Sequence, residues 1–356
     1  MKNIKITLLT LVIFSLIIIS CSKDSGAANS TTTVAQDKQN ITNTINGFYN
    51  CLNTLDDGDL SNFLLYSLFN TSNQQYNDSY MKTMVTNFES QYGKIILNNK
   101  LQFANRTGIY TWVNASQSWT KVASSSVITL QFPSRQNQSN NDAEISLNSY
   151  NDISTSYKST TYWLPTTANI TLKRDGTTLF SLNLANVTFD TSTNFTMPTN
   201  ADIAIYSAPF TNNFHWKRNS STDFELSFDS SSTQGCGTSS VTDIKLVNAD
   251  YGNITSVKDN VKSITGTFIE GNLKVVYAIN VQALSAYANP TPTQINSYSD
   301  AQVYYNNLKI GDLTYDKVNN QTEIFITYSD GTKENINSYV GDFETHVRSI
   351  FSNFLN

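Results

Sequence analysis

The groups able to do chemistry in this chain are few: three cysteines, two histidines and 28 acidic residues among 356. A zinc site gathers three or four His, Cys or acidic ligands at characteristic spacing, and neither His215 nor His346 has such neighbours. His215, in Phe214-His215-Trp216-Lys217, reads as a surface strand histidine, and His346 as a structural residue on a helix. Asp56-Asp57-Gly58-Asp59 lacks the alternation and the distal glutamate of a calcium loop, so it reads as a solvated helix end. Neither a Gly-x-Ser-x-Gly elbow nor a glycine-rich phosphate loop is present, and no metal or cofactor is expected. The remaining candidates are aromatic. Tyr110, Trp112, Trp119, Tyr162, Trp163 and Trp216 all fall where the pattern is strand-like. Such rings stack on sugars, fill apolar grooves and build sheet cores alike. Tyr110, Trp112, Trp119, Trp163 and Trp216 are therefore the candidate ligand-binding residues, with core packing as the competing role.

The first twenty-one residues carry the most specific signal. Met1-Lys2-Asn3-Ile4-Lys5 is basic, Ile6 to Ile19 is almost wholly apolar, and Ser20-Cys21 closes the run. A basic start, a short apolar stretch and a small residue before the cut mark a secretory signal peptide; a membrane span needs about 20 apolar residues. This leader resembles the lipobox of bacterial lipoproteins. The resemblance implies that Cys21 is acylated and becomes the N-terminus, anchoring the protein to a membrane. Ser22-Lys23-Asp24 resembles the export signal of surface lipoproteins of Bacteroidota, with Ser25 where a second acidic residue usually stands. The implied location is the outer membrane, exposed at the cell surface.

Removing residues 1–20 takes away Lys2 and Lys5, leaving 21 basic against 28 acidic residues, a net charge of −7. No basic stripe is evident, so nucleic acid is not an expected partner. Charged residues make up only 14%, while Tyr and Phe number 19 each; Asn, Ser and Thr supply most of the polarity. That balance favours strands. Cys51 and Cys236 remain after lipidation. Cys51 reads as a buried small hydrophobe and Cys236, in Gly235-Cys236-Gly237, as a free thiol; pairing them would join the helical and β parts.

The elements that would position these groups follow from periodicity. Residues 21–36 are the lipidated cysteine and a Ser/Thr/Ala/Gly-rich tether. Ile41, Ile45, Phe48, Leu52 and Leu55 share a helical face; Leu60 to Phe69 and Met81 to Tyr92 repeat the spacing, so 37–94 is a helical segment. From 95 to 356 the pattern is β-rich and ends in a helix carrying Phe343, Val347, Ile350, Phe351 and Phe354. Hairpins are expected around Asn114–Gln117, Asp175-Gly176 and Asp330-Gly331. Further strands are expected over 127–132, 143–149, 203–208, 224–228, 244–257, 261–269, 273–284, 301–313, 323–328 and 333–340. Residues 168–189 and 264–284 share a strand, glycine turn, long strand outline, which any meander also gives. The fold class is α+β, mainly antiparallel β in a curved sheet, roll or sandwich, with a helical N-terminal segment and a C-terminal helix packed on it.

Composition and pattern also resemble the β-rich lipoproteins of Bacteroidota. The function this implies is non-catalytic binding of a glycan, protein or host ligand at the outer membrane. A carrier of a lipid or other apolar ligand is the alternative, and a carboxylate-based secreted hydrolase the second.

Overall fold

The computed structural model describes residues 32–341 except 57, 69–79, 125, 137, 158, 193–195, 234 and 255. Cys21 with its leader, and the expected C-terminal helix with His346, lie outside the described residues. Among the described residues, no helix is long and apolar enough to cross a membrane.

Three helices open the described chain: α1 (Val34–Asp56), α2 (Asp59–Leu68) and α3 (Tyr80–Tyr92). α1 starts three residues ahead of the expected segment because Thr33 caps it: the Gln36 N–H donates to Thr33 Oγ1 at 3.3 Å. Gly93, at φ +80°, ends α3 in the left-handed conformation that glycine adopts without strain.

Strands then dominate. They are β1 (Ile96–Leu97) and β2 (Lys100–Leu101), then, after α4 (Phe103–Arg106), β3 (Gly108–Val113), β4 (Ser118–Val122) and β5 (Ile128–Phe132). Next come the long strands β6 (Ala143–Tyr157), β7 (Thr160–Arg174), β8 (Thr177–Asp190), β9 (Met197–Ser207), β10 (Phe210–Ser220), β11 (Asp223–Ser232) and β12 (Gly237–Leu246). After α5 (Val257–Asn260) follow β13 (Val261–Glu270), β14 (Leu273–Ile279), α6 (Val281–Leu284) and α7 (Pro292–Ser297). The described chain closes with β15 (Ser299–Tyr305), β16 (Leu308–Val318), β17 (Gln321–Tyr328), β18 (Lys333–Asn335) and α8 (Asn337–Val340). β1 and β2 pair with each other, and the rest hydrogen-bond in the order β18 back to β5 in sequence, then β3 and β4. The protein is α+β and mainly β, with a large sheet rich in antiparallel pairs.

The described residues form two compact units, an N-proximal one (49–218 and 228–237) and a C-proximal one (32–48, 219–227 and 238–341). In the N-proximal unit, α2 and α3 supply Phe63, Met84 and Phe88 to a core completed by Tyr110, Trp112, Trp119, Ile128 and Phe132. The outer edge of β4 is closed by a side chain: Gln91 accepts from the Trp119 N–H at 2.8 Å and donates to its carbonyl at 3.3 Å. A carboxamide thus stands in for a neighbouring strand and blocks edge pairing. Along β7 to β10 the pleat separates polar from apolar. Asn169, Asn183, Asp202, Asn213 and His215 share one face; Ile170, Leu182, Ile205, Phe214 and Trp216 share the other. On the polar face Asn148 donates to Asn169 at 2.8 Å and Asn169 to Asn183 at 3.2 Å.

In the C-proximal unit Ile41 of α1 packs with Leu273, Val275, Tyr277, Val303, Ile310, Leu313 and Ile326. Lys38 pairs with Glu334 at 2.9 Å, and Tyr339 donates to the same carboxylate at 2.7 Å. Gly266 lies beneath the Tyr277 ring; a Cβ there would come within 2.6 Å of the Tyr277 hydroxyl.

Several expected strands are divided. The 301–313 stretch is β15 and β16, joined by Asn306-Asn307 at φ 51° and 63°. Asparagine tolerates that left-handed pair of dihedrals, so a hairpin forms without a glycine. The 244–257 strand ends at Leu246; a 3₁₀ turn over Tyr251–Asn253 follows, and Ser256 caps α5 by accepting from the Asp259 N–H at 3.1 Å. The 273–284 strand ends at Ile279, where Asn280 caps α6, and 333–340 becomes helix after Asn335. β10 was expected only through His215 and Trp216, without bounds; it runs from Phe210 to Ser220.

Candidate functional site

The aromatic candidates separate into different surroundings. Tyr110, Trp112 and Trp119 are buried in the core, which corrects their assignment as ligand-binding residues. Helix α3 covers them: Phe88 meets Tyr110 edge-on at 4.8 Å and Trp119 at 6.0 Å. Their polar atoms are satisfied internally. Trp119 Nε1 donates to the Met84 carbonyl at 2.9 Å, and the Tyr110 hydroxyl to the Arg106 carbonyl at 2.7 Å. Trp163 is half-buried with the Lys100 ammonium 3.5 Å from its ring centre. Trp216 is half-buried and donates to the Pro198 carbonyl at 3.0 Å. Tyr162 is exposed on the other face of β7 from Trp163. β7 and β10 are not neighbours in the sheet, so no single aromatic platform forms from this set.

The buried tryptophans nevertheless support a turn that borders a cleft. Trp112 and Trp119 face each other across the β3–β4 hairpin, ring centres 5.3 Å apart. Trp112 Nε1 donates to Asn114 Oδ1 at 3.1 Å, and Asn114 Nδ2 donates to the Gln138 carbonyl at 2.7 Å. The turn 114–117 is thereby fixed above the core. It borders a cleft of about 410 Å³ lined by Tyr80, Thr83, Asn114, Ala115, Gln117 and Gln136. The Tyr80 hydroxyl donates to the Pro133 carbonyl. Burial, and then the nearby Asp142 carboxylate, push its pKa well above the ordinary phenol value, so it stays neutral. Among the described residues the lining is carboxamide and hydroxyl, with Ala115, and holds no charged group. Such groups both donate and accept, and suit a neutral polar ligand.

A second cleft, of about 280 Å³, lies in the C-proximal unit on one face of β14 and β15. Lys274, Asp300, Gln302 and Tyr304 line it; Asp300 and Gln302 are buried. The Tyr304 hydroxyl donates to Gln302 Oε1, and Lys274 sits 5.6 Å from the Tyr304 ring centre.

The titratable candidates form isolated pairs. His215 Nδ1 meets Asp202 Oδ1 on the polar face of β9 and β10. Hydrogen bonds from Asn186 and then His215 hold the Asp202 carboxyl below its ordinary range. Asp59 pairs with Arg174 at 2.8 Å. Among the described residues no three His, Cys, Asp or Glu groups gather to hold a metal ion. Cys51 and Cys236 form a disulfide that joins α1 to the β11–β12 connection, correcting their reading as a buried hydrophobe and a free thiol. The chain brings Cα atoms 185 residues apart in sequence to 5.9 Å, a closure that two lone cysteines cannot reveal.

Sequence reasoning missed Tyr80, Thr83, Gln117 and Gln136, which come from three separate segments. Only the Asn114–Gln117 hairpin signal pointed toward that place. Comparison of the chain with protein-family models, with curated proteins and with solved structures finds no match.

Proposed function

We propose that the protein is a cell-envelope lipoprotein, anchored through Cys21 at the outer membrane and exposed at the surface, that binds a neutral glycan without catalysis. The observation that carries the binding reading is the amide- and hydroxyl-lined cleft bordered by the 114–117 turn, which Trp112 holds through Asn114. A sugar offers many hydroxyls and no charge, and this lining answers with donors and acceptors on a rigid hairpin. A site that hydrogen-bonds ligand hydroxyls discriminates strongly against analogues that lack them. The cleft is open and polar, which favours surface recognition over carriage of an apolar cargo. Among the described residues its lining holds no pair of carboxylates for a hydrolase to use. The anchor and its address rest on the leader, Lys2 to Cys21, and on Ser22-Lys23-Asp24.

The test is a glycan array followed by calorimetric titration of the best binder. Thr83 and Gln136 are exposed, so Thr83→Ala with Gln136→Ala should leave the melting temperature unchanged. Losing two hydrogen bonds of about 1 kcal/mol each should weaken binding by about tenfold or more. No glycan binding, or binding indifferent to both substitutions, would remove the cleft from consideration.

A further inference from the structure

Residues 90–141 contain Lys94, Lys100, Arg106, Lys121 and Arg135 and no aspartate or glutamate. The whole chain sums to −5, so this stretch at +5 leaves −10 on the remainder. The same stretch holds three of the most exposed large apolar side chains: Ile96 at 61%, Leu97 at 51% and Val122 at 65%. Single exposed apolar residues are ordinary. Here two are adjacent on a tight hairpin, and cations flank them.

The hairpin is β1 and β2, turned by Asn98-Asn99 at φ 51° and 60°. Leu97 pairs with Lys100 and Ile96 with Leu101. Lys94 is exposed two residues before Ile96. Lys100 lies with its ammonium 3.5 Å from the Trp163 ring centre, so its charge is held next to the hairpin's own β2. Neither Lys94 nor Lys100 has an acidic partner among the described residues. Apolar side chains at a tip with cations beside them match the interface of an anionic bilayer: the first enter the acyl boundary, the second meet lipid phosphates.

We infer that the Ile96–Leu97 hairpin is a membrane-contact tip that seats on an anionic lipid surface. The contact belongs to the folded N-proximal unit. It uses neither the acyl chains at Cys21 nor the cleft, so it stands or falls apart from the proposed function.

The test is flotation of the Ser22–Asn356 chain, which carries no acyl group and keeps every described residue, with lipid vesicles. Phosphatidylcholine vesicles are compared with ones holding about 30 mol% phosphatidylglycerol. Retention on the anionic vesicles is expected, with little on phosphatidylcholine alone. Ile96→Asn with Leu97→Asn should lower the partition coefficient by about tenfold or more. Lys94→Gln and Lys100→Gln should each lower it by about fivefold and flatten its salt dependence. Equal retention on both vesicle types, no retention on either, or indifference to the Ile96/Leu97 substitutions overturns the inference. Near-UV circular dichroism checks that the apolar variant is folded; if it is not, the two lysine variants decide.

Discussion

Glu270 closes β13 as a buried carboxylate, and its environment sets a testable pH dependence. Burial raises its pKa above the ordinary value of 4.5, against the opposing hydrogen bond donated by Thr238. For a carboxyl with a raised folded-state pKa, the unfolded chain ionises first as pH rises. Stability is therefore fullest below the unfolded pKa, falls as pH climbs past it, and stops falling above the folded pKa. Glu270→Gln keeps an acceptor for Thr238 and removes the ionisation. It should change the melting temperature little near pH 4 and raise it relative to the parent at pH 7 to 8. A gap between parent and variant that is the same at every pH would show that burial of the charge is not the cause. Asp202 works in the opposite sense: Asn186 and His215 lower its folded pKa, so its contribution is present near neutrality and lost as pH falls. Both groups are anchored to strand positions, where the pleat fixes which face each side chain meets.

At the scale of elements, the Cys51–Cys236 bond is a covalent constraint linking helix to sheet. It ties α1 to the β11–β12 connection across 185 residues of sequence. Cross-links that close long loops restrict the unfolded chain most, with a typical contribution of about 2–4 kcal/mol. Cys51→Ser with Cys236→Ser should lower the denaturant midpoint accordingly, and a thiol reductant should shift the parent to the same midpoint. An unchanged midpoint in both experiments would show the cross-link to be energetically idle. This bond also marks where sequence reading ends. The helical stripes of Ile41 and Ile45, and of Met84 and Phe88, were legible because a 3.6-residue period reports a local covering partner. Asp175-Gly176 was legible because the turn needs positive φ, and both residues have it at 50° and 78°. Asn306-Asn307 was not, because asparagine reaches the same dihedrals while looking like ordinary strand polarity. The cleft lining was not legible either. Tyr80, Asn114 and Gln136 lie on α3, the β3–β4 turn and the connection after β5, and no local period relates them. The aromatic residues were correctly placed on strands, but strand pattern alone does not say which face α3 covers. That is why Trp112 and Trp119 lie buried under α3 and not in the cleft lining.

For the molecule as a whole, charge is segregated in sequence far more than its total suggests. A pI of about 5.1 describes an acidic protein, yet five cations occupy 90–141 without one acid. Spread over 52 residues, they make no contiguous basic run, which is why composition alone points away from any anionic partner. Long-range fields are screened over about 30 Å at 0.01 M ionic strength and about 8 Å at 0.15 M. At low salt a surface therefore responds to its nearest patch before it responds to the net charge. The Ser22–Asn356 chain should bind a cation exchanger at pH 7 and about 0.01 M ionic strength, despite its negative net charge, and elute by about 0.15 M. Lys94→Glu with Lys100→Glu should abolish that retention while the far-ultraviolet circular dichroism stays unchanged. Flow-through of the parent at every salt concentration would mean that neighbouring acids neutralise the patch, and the hairpin would then lack the field that draws it toward an anionic surface.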